Sequence, residues 1–160
     1  MAIMSVEWGK IREYAAATAN ARAEYMTDPK GPIPPTFLAT VVFWDDLERT
    51  FELPEATEAL DRVGLTRDVR RLLSLEQEYV FHGPLPRAGD VLETSARFDG
   101  VEVKQARSGP MILVRFAVEF RGQDGALRAE CLYTSAYLNP PRADEPPAAD
   151  TAVAAGQVAS

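Results

Sequence analysis

The sequence predicts a single α+β domain in which an antiparallel β-sheet wraps around one central apolar helix. In the second half of the chain, apolar and polar residues alternate over long segments, which is typical of strands with one buried face. The segment TFLATVVFW, residues 36–44, is apolar apart from its threonines and is the best candidate to cover that face. The domain is expected over residues 1–139. A tail rich in alanine, proline and acidic residues, 140–160, is expected to be disordered.

Two further segments in the first half of the chain are predicted to be helical. Residues 6–18 place apolar side chains at the i, i+3, i+4, i+7 spacing of one helix face, and residues 54–63 begin with proline and acidic residues, which favour a first helical turn. Residues 28–35 contain four prolines and a glycine, which predict a loop.

Periodicity alone leaves residues 36–44 open between a buried strand and a buried helix. Pro34 and Pro35 favour the helix, because proline suits a first helical turn, and Thr36 is then a candidate cap. We therefore expect a helix that begins at Thr36.

A meander of antiparallel strands is predicted for the rest of the chain, with an interruption at Asp99-Gly100 and a tight turn at Asp124-Gly125. Ser108-Gly109 can close the hairpin between the second and third strands. The expected strands are 75–81, 91–107, 112–121 and 127–138.

Composition excludes several classes of function. The net charge of −7 repels phosphate backbones and argues against a nucleic-acid partner. Because no run of about 18 apolar residues occurs, no membrane span is expected. The amino-terminal sequence does not have the pattern of a secretory signal, and Cys131, the single cysteine, cannot form an internal disulfide. A cytoplasmic protein is therefore expected.

Several stretches carry a resemblance to a known family: VEWGKIREYAAAT, PIPPTF, LEQEYVFHGPLPRAGDVLETSARF and the FAVEFRGQDGAL end. Over residues 6–138 the chain resembles the N-terminal-type domain of the MaoC-like dehydratases. The resemblance implies a hot-dog fold and a substrate carried as a thioester of CoA or acyl carrier protein. It also implies addition or removal of water across the α,β double bond, without a further cofactor.

Catalytic members of this family have a G-D-x-N-P-x-H stretch after the first helix, and its Asp and His activate a water molecule. The corresponding stretch here is ANARAEY, residues 19–25, which places Asn20 at the Asp position and Tyr25 at the His position. An amide cannot accept a proton at neutral pH, and a phenol with a pKa of about 10 is a poor base. The resemblance therefore implies a supporting subunit whose catalytic hot-dog partner carries the Asp/His pair, or a chain that pairs with itself.

The amino end of the predicted 36–44 helix is the best candidate for substrate contact. Free backbone N–H groups at a helix start carry partial positive charge and can stabilise a developing thioester enolate. Thr36 and Phe37 are expected to lie nearest the acyl thioester, with Phe43 and Trp44 further along the acyl chain. Burial in the core alone is the simpler explanation for Phe43 and Trp44.

Other chemically capable residues have simpler structural explanations. His82, the single histidine, follows a predicted strand and is expected to be a turn or surface residue. Cys131 lies within a strand and is expected to be a small buried apolar residue. Asp90 is explained by the turn that contains it. With one histidine and one cysteine, no N/S metal-ligand set of the usual spacing can be assembled.

Two alternatives to the hydratase subunit stay open at this point. The first is a non-catalytic acyl-thioester binding module that forms a homodimer. The second is a hot-dog acyl-CoA thioesterase with Asp45 or Asp46 as general base, although these acids also suit a solvated helix end. The basic cluster is expected to be a solvated face or a contact for the phosphates of the carrier; its residues are Arg67, Arg70 and Arg71.

Overall fold

The computed structural model describes residues 2–41, 47–65, 69–106, 109–138 and 151–154. The helices in these ranges are α1 (Trp8–Ala17), α2 (Ala23–Met26), α3 (Ala39–Val41), α4 (Leu47–Glu52) and α5 (Pro54–Arg62). The strands are β1 (Ala2–Ser5), β2 (Leu72–Phe81), β3 (Val91–Ala106), β4 (Gly109–Gly122), β5 (Leu127–Leu138) and β6 (Thr151–Ala154). None of the helices in the described ranges is long and apolar enough to cross a membrane.

The strands form one sheet in the order β1-β3-β4-β5-β2, and β6 also pairs with β3. β1 runs antiparallel to the start of β3, with Ala2 opposite Thr94 and Ser5 opposite Val91. β6 runs antiparallel to a later part of β3, where Gly100 lies opposite Ala154. β3 therefore has short strands at two places along its outer edge.

The predicted strands are confirmed, with changes at their ends. β5 has the predicted bounds, and β2 begins at Leu72 rather than at Leu75. The expected interruption at Asp99-Gly100 is wrong, since β3 runs continuously through it. Gly100 has a φ of 133°, a backbone conformation that favours glycine, so the strand continues there without a side-chain clash.

The apolar segment 36–44 differs from the helix that its sequence predicts. Residues 36–38 form a turn, and within the described part of the segment α3 covers Ala39–Val41. The Phe37 N–H donates to the carbonyl of Pro34 at 2.9 Å, which closes a tight turn on the proline pair before a helix can start. The remainder of the predicted helix, 42–44, lies outside the described residues.

The predicted disordered tail differs from the structure at one place. Thr151–Ala154 form β6, because the outer edge of β3 offers backbone groups with which a short extended segment can pair. The other tail residues, 140–150 and 155–160, lie outside the described part of the chain. The boundary predicted at residue 139 stays a prediction.

The chain divides into two compact units. The first comprises the described residues within 1–47, 78–96 and 118–131, and it contains most of the candidate site. Its core is aliphatic and aromatic, with Val6, Ile11, Ile33, Phe37, Leu38, Leu92, Val118 and Phe120 buried.

The second unit comprises the described residues within 48–77, 97–117 and 132–160. Aromatic pairs mark its core. The ring centroids of Phe116 and Tyr133 are 4.9 Å apart, and those of Phe51 and Tyr137 are 6.2 Å apart in an edge-to-face arrangement. Such pairs contribute stability beyond the area they bury.

Backbone carbonyl groups lie very close to Gly31, so a substitution there tests the packing of the first unit. A Cβ at residue 31 would collide with the carbonyl oxygen of Glu24 and would lie 3.0 Å from that of Asp28. We expect Gly31→Ala to lower the free energy of unfolding by about 2 kcal/mol, because backbone atoms must move to relieve the overlap. Denaturant unfolding followed by circular dichroism measures this loss.

Gly9→Ala is the matched control, since a Cβ at Gly9 meets no atom within 4 Å. Gly9 lies in α1, where alanine is preferred, so this change should raise the free energy of unfolding by about 0.5–1 kcal/mol. Equal effects of the two substitutions would contradict the close approach at Gly31.

Candidate functional site

The loop after α1 carries the residues that correspond to the family's catalytic stretch. Ala19 has a φ of 54°, which places it in the left-handed region. The Asn20 N–H then donates to the carbonyl of Ala15 at 2.8 Å, and the carbonyl of Asn20 accepts the Arg22 N–H at 2.8 Å. These bonds end α1 and turn the chain towards α2.

The backbone of this loop agrees with the alignment that sequence resemblance suggests. In G-D-x-N-P-x-H, glycine, asparagine and proline correspond to Ala19, Arg22 and Ala23. In the structure, Ala19 is the left-handed residue, Arg22 is the extended N-cap of α2 and Ala23 is the first residue of α2. Glycine, asparagine and proline are favoured in those roles. The loop therefore has the backbone that the motif encodes, with different side chains.

Tyr25, at the position of the catalytic histidine, is buried in α2 with 3% of its surface exposed. Burial raises the pKa of its phenol above the ordinary value, and a hydrogen bond to the Glu24 carboxylate adds to the rise. The charge of Arg22 opposes this effect. A phenol with a raised pKa stays protonated at neutral pH, so Tyr25 can donate a hydrogen bond but cannot serve as a general base.

Side chains of α1 contact both segments of the candidate site, residues 19–25 and 36–37. The Trp8 indole N–H donates to the backbone carbonyl of Tyr25 at 3.3 Å. The Tyr14 hydroxyl lies 2.9 Å from the carbonyl oxygen of Thr36 and 2.8 Å from its Oγ1. The Tyr14 ring also packs edge-to-face on Phe37, with centroids 5.5 Å apart. Sequence reasoning placed Tyr14 on the buried helix face but missed its bond to Thr36, for which the sequence has no signal.

The helix that was predicted to begin at Thr36 begins at Ala39, and the thioester contact expected at its start stays a prediction. Three N–H groups around the start of α3 donate hydrogen bonds within the chain. Besides the Phe37 N–H, the Ala39 N–H donates to Thr36 and the Thr40 N–H donates to Phe37, each at 3.1 Å. Thr36 is exposed and Phe37 is 2% exposed, so Thr36 is the accessible residue of the two.

Several predicted site residues lie outside the part of the chain that the structure describes. They are Phe43, Trp44, Asp45, Asp46 and Arg67. Arg70 and Arg71 are described and lie exposed in a 3₁₀ turn, Val69–Arg71, directly before β2 in the second unit.

His82 directly follows β2 and pairs with an acid that the sequence did not suggest. Its Nε2 lies 2.7 Å from Oε2 of Glu130 on β5, and 38% of the His82 side chain is exposed. The His82 N–H donates to the carbonyl of Arg128 at 3.0 Å. The pair therefore joins the end of β2 to β5 at a solvent-accessible position.

Asp90 and Cys131 have the environments of structural residues. Oδ2 of Asp90 accepts the Arg87 N–H at 2.8 Å, which closes the turn. Cys131 is fully buried, and burial raises the pKa of its thiol to about 11, with an opposing hydrogen bond from Tyr79. A thiol with this pKa is protonated at neutral pH and is a poor nucleophile.

A cleft of about 450 Å³ lies between the turn 84–92 and the tip of the β4–β5 hairpin. Its lining includes two arginines, Arg87 and Arg128, and two acids, Asp90 and Asp124, so its formal charges balance. Arg128 lies 2.6 Å from Oδ2 of Asp124. No group of three or more histidine, cysteine or acidic residues within the described ranges is placed to hold a metal ion.

Comparison with known proteins identifies a family and a fold. The family model of the FAS1-like dehydratase domain region matches residues 3–130, while a search of curated proteins found no match. Among solved structures, the chain is 19% identical to one from the HadBC 3R-hydroxyacyl-ACP dehydratase complex of Mycobacterium tuberculosis, with a TM-score of 0.56. That match covers 84% of this chain and 90% of the other.

Two further solved structures are similar. A chain of the ChsH1-ChsH2 complex from Mycobacterium tuberculosis has a TM-score of 0.62 at 18% identity, with 86% of this chain and 85% of the other covered. The MaoC-like dehydratase from Rhodospirillum rubrum has a TM-score of 0.51 at 16% identity, with 88% and 90% covered. These likenesses confirm the predicted α+β hot-dog fold.

The left-handed conformation of Ala19 predicts that glycine is better tolerated there. Relief of the strained φ outweighs the entropy that glycine adds to the unfolded chain, so Ala19→Gly should raise the free energy of unfolding by about 0.5 kcal/mol. Ala16→Gly is the control, because Ala16 is exposed within α1 and its replacement should cost about 0.5–1 kcal/mol. Thermal or denaturant unfolding measures both, and a loss of stability in Ala19→Gly would contradict the assignment.

Because burial raises the pKa of the Cys131 thiol, we expect the protein to lose stability at alkaline pH. The folded protein holds the thiol proton more tightly than the unfolded chain, so its contribution is complete below about pH 9 and is lost as the pH rises towards 11. The rise of the thiol pKa from 9 to about 11 corresponds to about 3 kcal/mol. Unfolding free energies of the wild type and Cys131→Ala between pH 7 and 11 test this. The wild type should lose more stability than the variant, and parallel profiles would contradict the prediction.

Proposed function

The chain belongs to the FAS1-like dehydratase family, whose model covers residues 3–130, and on this premise we propose that it is the supporting subunit of a hydro-lyase. The enzyme is an (R)-specific enoyl-thioester hydratase or 3-hydroxyacyl dehydratase, and a second hot-dog subunit carries its Asp/His pair. The substrate is an acyl thioester of CoA or acyl carrier protein. Hydration and dehydration pass through the same transition state, so one site catalyses both directions.

The observation that carries this proposal is the state of the loop 19–25. Asn20 and Tyr25 replace the Asp and His of the motif, and the buried phenol of Tyr25 holds its proton more tightly than an ordinary tyrosine. General acid–base hydration needs a group that accepts a proton from water near neutral pH. Neither an amide nor this phenol does so, and a partner must therefore supply the base.

Retention of the backbone around these residues supports a role in the assembled site. Ala19 holds the left-handed conformation that ends α1 although this costs an alanine about 1 kcal/mol or more. In the proposed enzyme, Asn20 and Tyr25 line the pocket or the subunit interface and can donate hydrogen bonds there. Thr36, held by Tyr14, forms a polar part of the wall, and Phe37 packs beneath it.

The similar structures support a two-subunit enzyme. Two of them come from assemblies described as complexes, HadBC, a 3R-hydroxyacyl-ACP dehydratase, and ChsH1-ChsH2. By analogy, the active unit proposed here pairs this chain with a catalytic hot-dog subunit. The acyl chain is then held between residues of both subunits, with no cofactor beyond the carrier that bears the thioester.

Hydration assays test whether the partner subunit, and not this chain, supplies the catalytic groups. The chain alone should not hydrate crotonyl-CoA or longer enoyl-CoA thioesters, whereas its mixture with a catalytic subunit that carries G-D-x-N-P-x-H should hydrate them. Loss of enoyl absorbance measures the rate. In the mixture, replacement of the partner's Asp or His should lower kcat by about 100-fold or more. Asn20→Ala or Tyr25→Phe in this chain should lower it by no more than about tenfold.

Three outcomes would contradict the proposal. Hydration by the chain alone would show that it has its own catalytic group, and Asn20→Ala and Tyr25→Phe would then show whether the loop provides it. Release of free CoA without hydration would instead indicate a thioesterase. Binding of an acyl-CoA without turnover in the presence of every catalytic subunit tried would favour a binding module.

A further inference from the structure

The neighbours of Thr36 leave its hydroxyl oxygen as the polar atom that can meet a ligand. The Thr36 carbonyl accepts two hydrogen bonds, from the Ala39 N–H at 3.1 Å and from the Tyr14 hydroxyl at 2.9 Å. A carbonyl oxygen has two lone pairs, so this carbonyl has no capacity left for another donor. Thr36 is exposed, and its side chain can therefore contact a ligand through Oγ1.

A second contact with Tyr14 decides whether this hydroxyl donates or accepts. The Tyr14 oxygen lies 2.8 Å from Oγ1 of Thr36, while the Tyr14 hydrogen is used by the Thr36 carbonyl, which can only accept. Both contacts are hydrogen bonds when the Thr36 hydroxyl donates to the Tyr14 oxygen. A threonine hydroxyl has one hydrogen and two lone pairs. Because its hydrogen is used by Tyr14, Oγ1 offers only acceptor lone pairs to a ligand.

Packing around Tyr14 holds this arrangement in place. The neighbours of Tyr14 on α1 include the completely buried Ile11 and Ala15, which fix the helix. The half-buried Tyr14 ring packs edge-to-face on Phe37, with centroids 5.5 Å apart. A side chain that packing already restrains can orient its hydrogen-bond partner at little further cost in entropy. Tyr14 is therefore a positioning residue, and Thr36 is the residue that contacts the ligand.

We propose that Oγ1 of Thr36 accepts a hydrogen bond from an amide N–H of the pantetheine arm that carries the acyl group. This inference rests on the proposed function and names the part of the substrate that Thr36 binds. The enoyl group and its thioester carbonyl have no N–H or O–H group, so they cannot donate to this oxygen. The pantetheine arm has amide N–H groups, and an ethylene group joins the nearer one to the thioester sulfur. CoA and acyl carrier protein share this arm, so the contact serves both carriers.

A contact with the pantetheine arm has a kinetic effect that separates it from other contacts. The arm does not change during hydration, so the hydrogen bond forms equally with substrate, transition state and product. Such a uniform contact lowers KM and leaves kcat unaltered. A hydrogen bond donated to the thioester oxygen would instead strengthen as enolate charge develops, and it would raise kcat. A contact with the 3-hydroxyl would act on the hydroxyacyl form and not on the enoyl form.

Thr36→Val tests the contact in the mixture of this chain with a catalytic subunit, because valine keeps the shape of threonine and removes its hydroxyl. KM for crotonyl-CoA and KM for (R)-3-hydroxybutyryl-CoA should each rise about three- to tenfold, while kcat stays within about twofold. Thr36→Ser retains the hydroxyl and should resemble the wild type. Thr27→Val is the matched control, since the exposed Thr27 hydroxyl donates to the Ala23 carbonyl, and it should change neither KM. Circular dichroism confirms that each variant is folded.

A change in the substrate tests the amide itself. The crotonyl thioester of N-acetylcysteamine keeps the nearer amide, whereas the crotonyl thioester of butanethiol has none. Thr36→Val should lower kcat/KM for the first about three- to tenfold and leave kcat/KM for the second unchanged. Tyr14→Phe keeps the ring on Phe37 and acts only through Thr36. Its effect should be smaller than that of Thr36→Val, and the double variant should be no worse than Thr36→Val alone.

Calorimetric titration with butyryl-CoA, which has no double bond to hydrate, gives the affinity of the same mixture without turnover. Thr36→Val should weaken this affinity about three- to tenfold. The inference is overturned by an unchanged affinity, by a loss in kcat, or by an equal loss with the butanethiol thioester. A rise in KM confined to (R)-3-hydroxybutyryl-CoA would also overturn it and would assign Thr36 to the 3-hydroxyl. Absence of hydration, together with an affinity for butyryl-CoA that depends on Thr36, would contradict the proposed function alone.

Discussion

The candidate site depends on the contacts that side chains of α1 make with two neighbouring segments. Ile11 and Ala15 are completely buried and fix the helix against the first unit. From that fixed position Trp8 reaches the backbone of Tyr25, and Tyr14 reaches Thr36 and Phe37. Loops have few internal restraints of their own, so a rigid helix that contacts both of them sets their geometry.

In the loop after α1, the backbone geometry suits the family's motif, but the side chains differ from it. Its left-handed residue and the short helix α2 are the geometry that glycine, asparagine and proline would favour, yet alanine and arginine occupy those positions. The acid and base of the motif are replaced by an amide and by a buried phenol. Burial, which would tune a catalytic group in other sites, here keeps the proton on Tyr25. Residues 20 and 25 can therefore donate hydrogen bonds but do not accept a proton at neutral pH.

The two outer edges of the sheet differ in what they present. Leu73 and Leu75 are exposed on β2, while the short strands β1 and β6 lie along β3 at the opposite edge. Charged pairs elsewhere, such as Arg115 with Glu102 at 2.7 Å, suit a face that stays in contact with solvent.

Regular elements were predictable because their signals are local. The strand periodicity of Leu127–Leu138 gave the right bounds for β5, and the apolar spacing near Trp8–Ala17 located α1. The start of segment 36–44 was predicted less well, because its composition predicts burial but not the turn at residues 36–38. Its conformation depends on the bond that closes on Pro34 and on Tyr14, a residue far away along the chain.

By itself, the sequence determined the fold class, the order of the strands along the chain and the absence of a base at residues 20 and 25, since each depends on residue type or local period. Only the tertiary structure decided which groups meet. His82 pairs with Glu130 and Tyr14 bonds to Thr36, although the partners are distant in sequence. The exposure of Leu73 and Leu75 is likewise decided by which elements pack beside them. Such contacts arise from the packing of whole elements, and no local pattern encodes them.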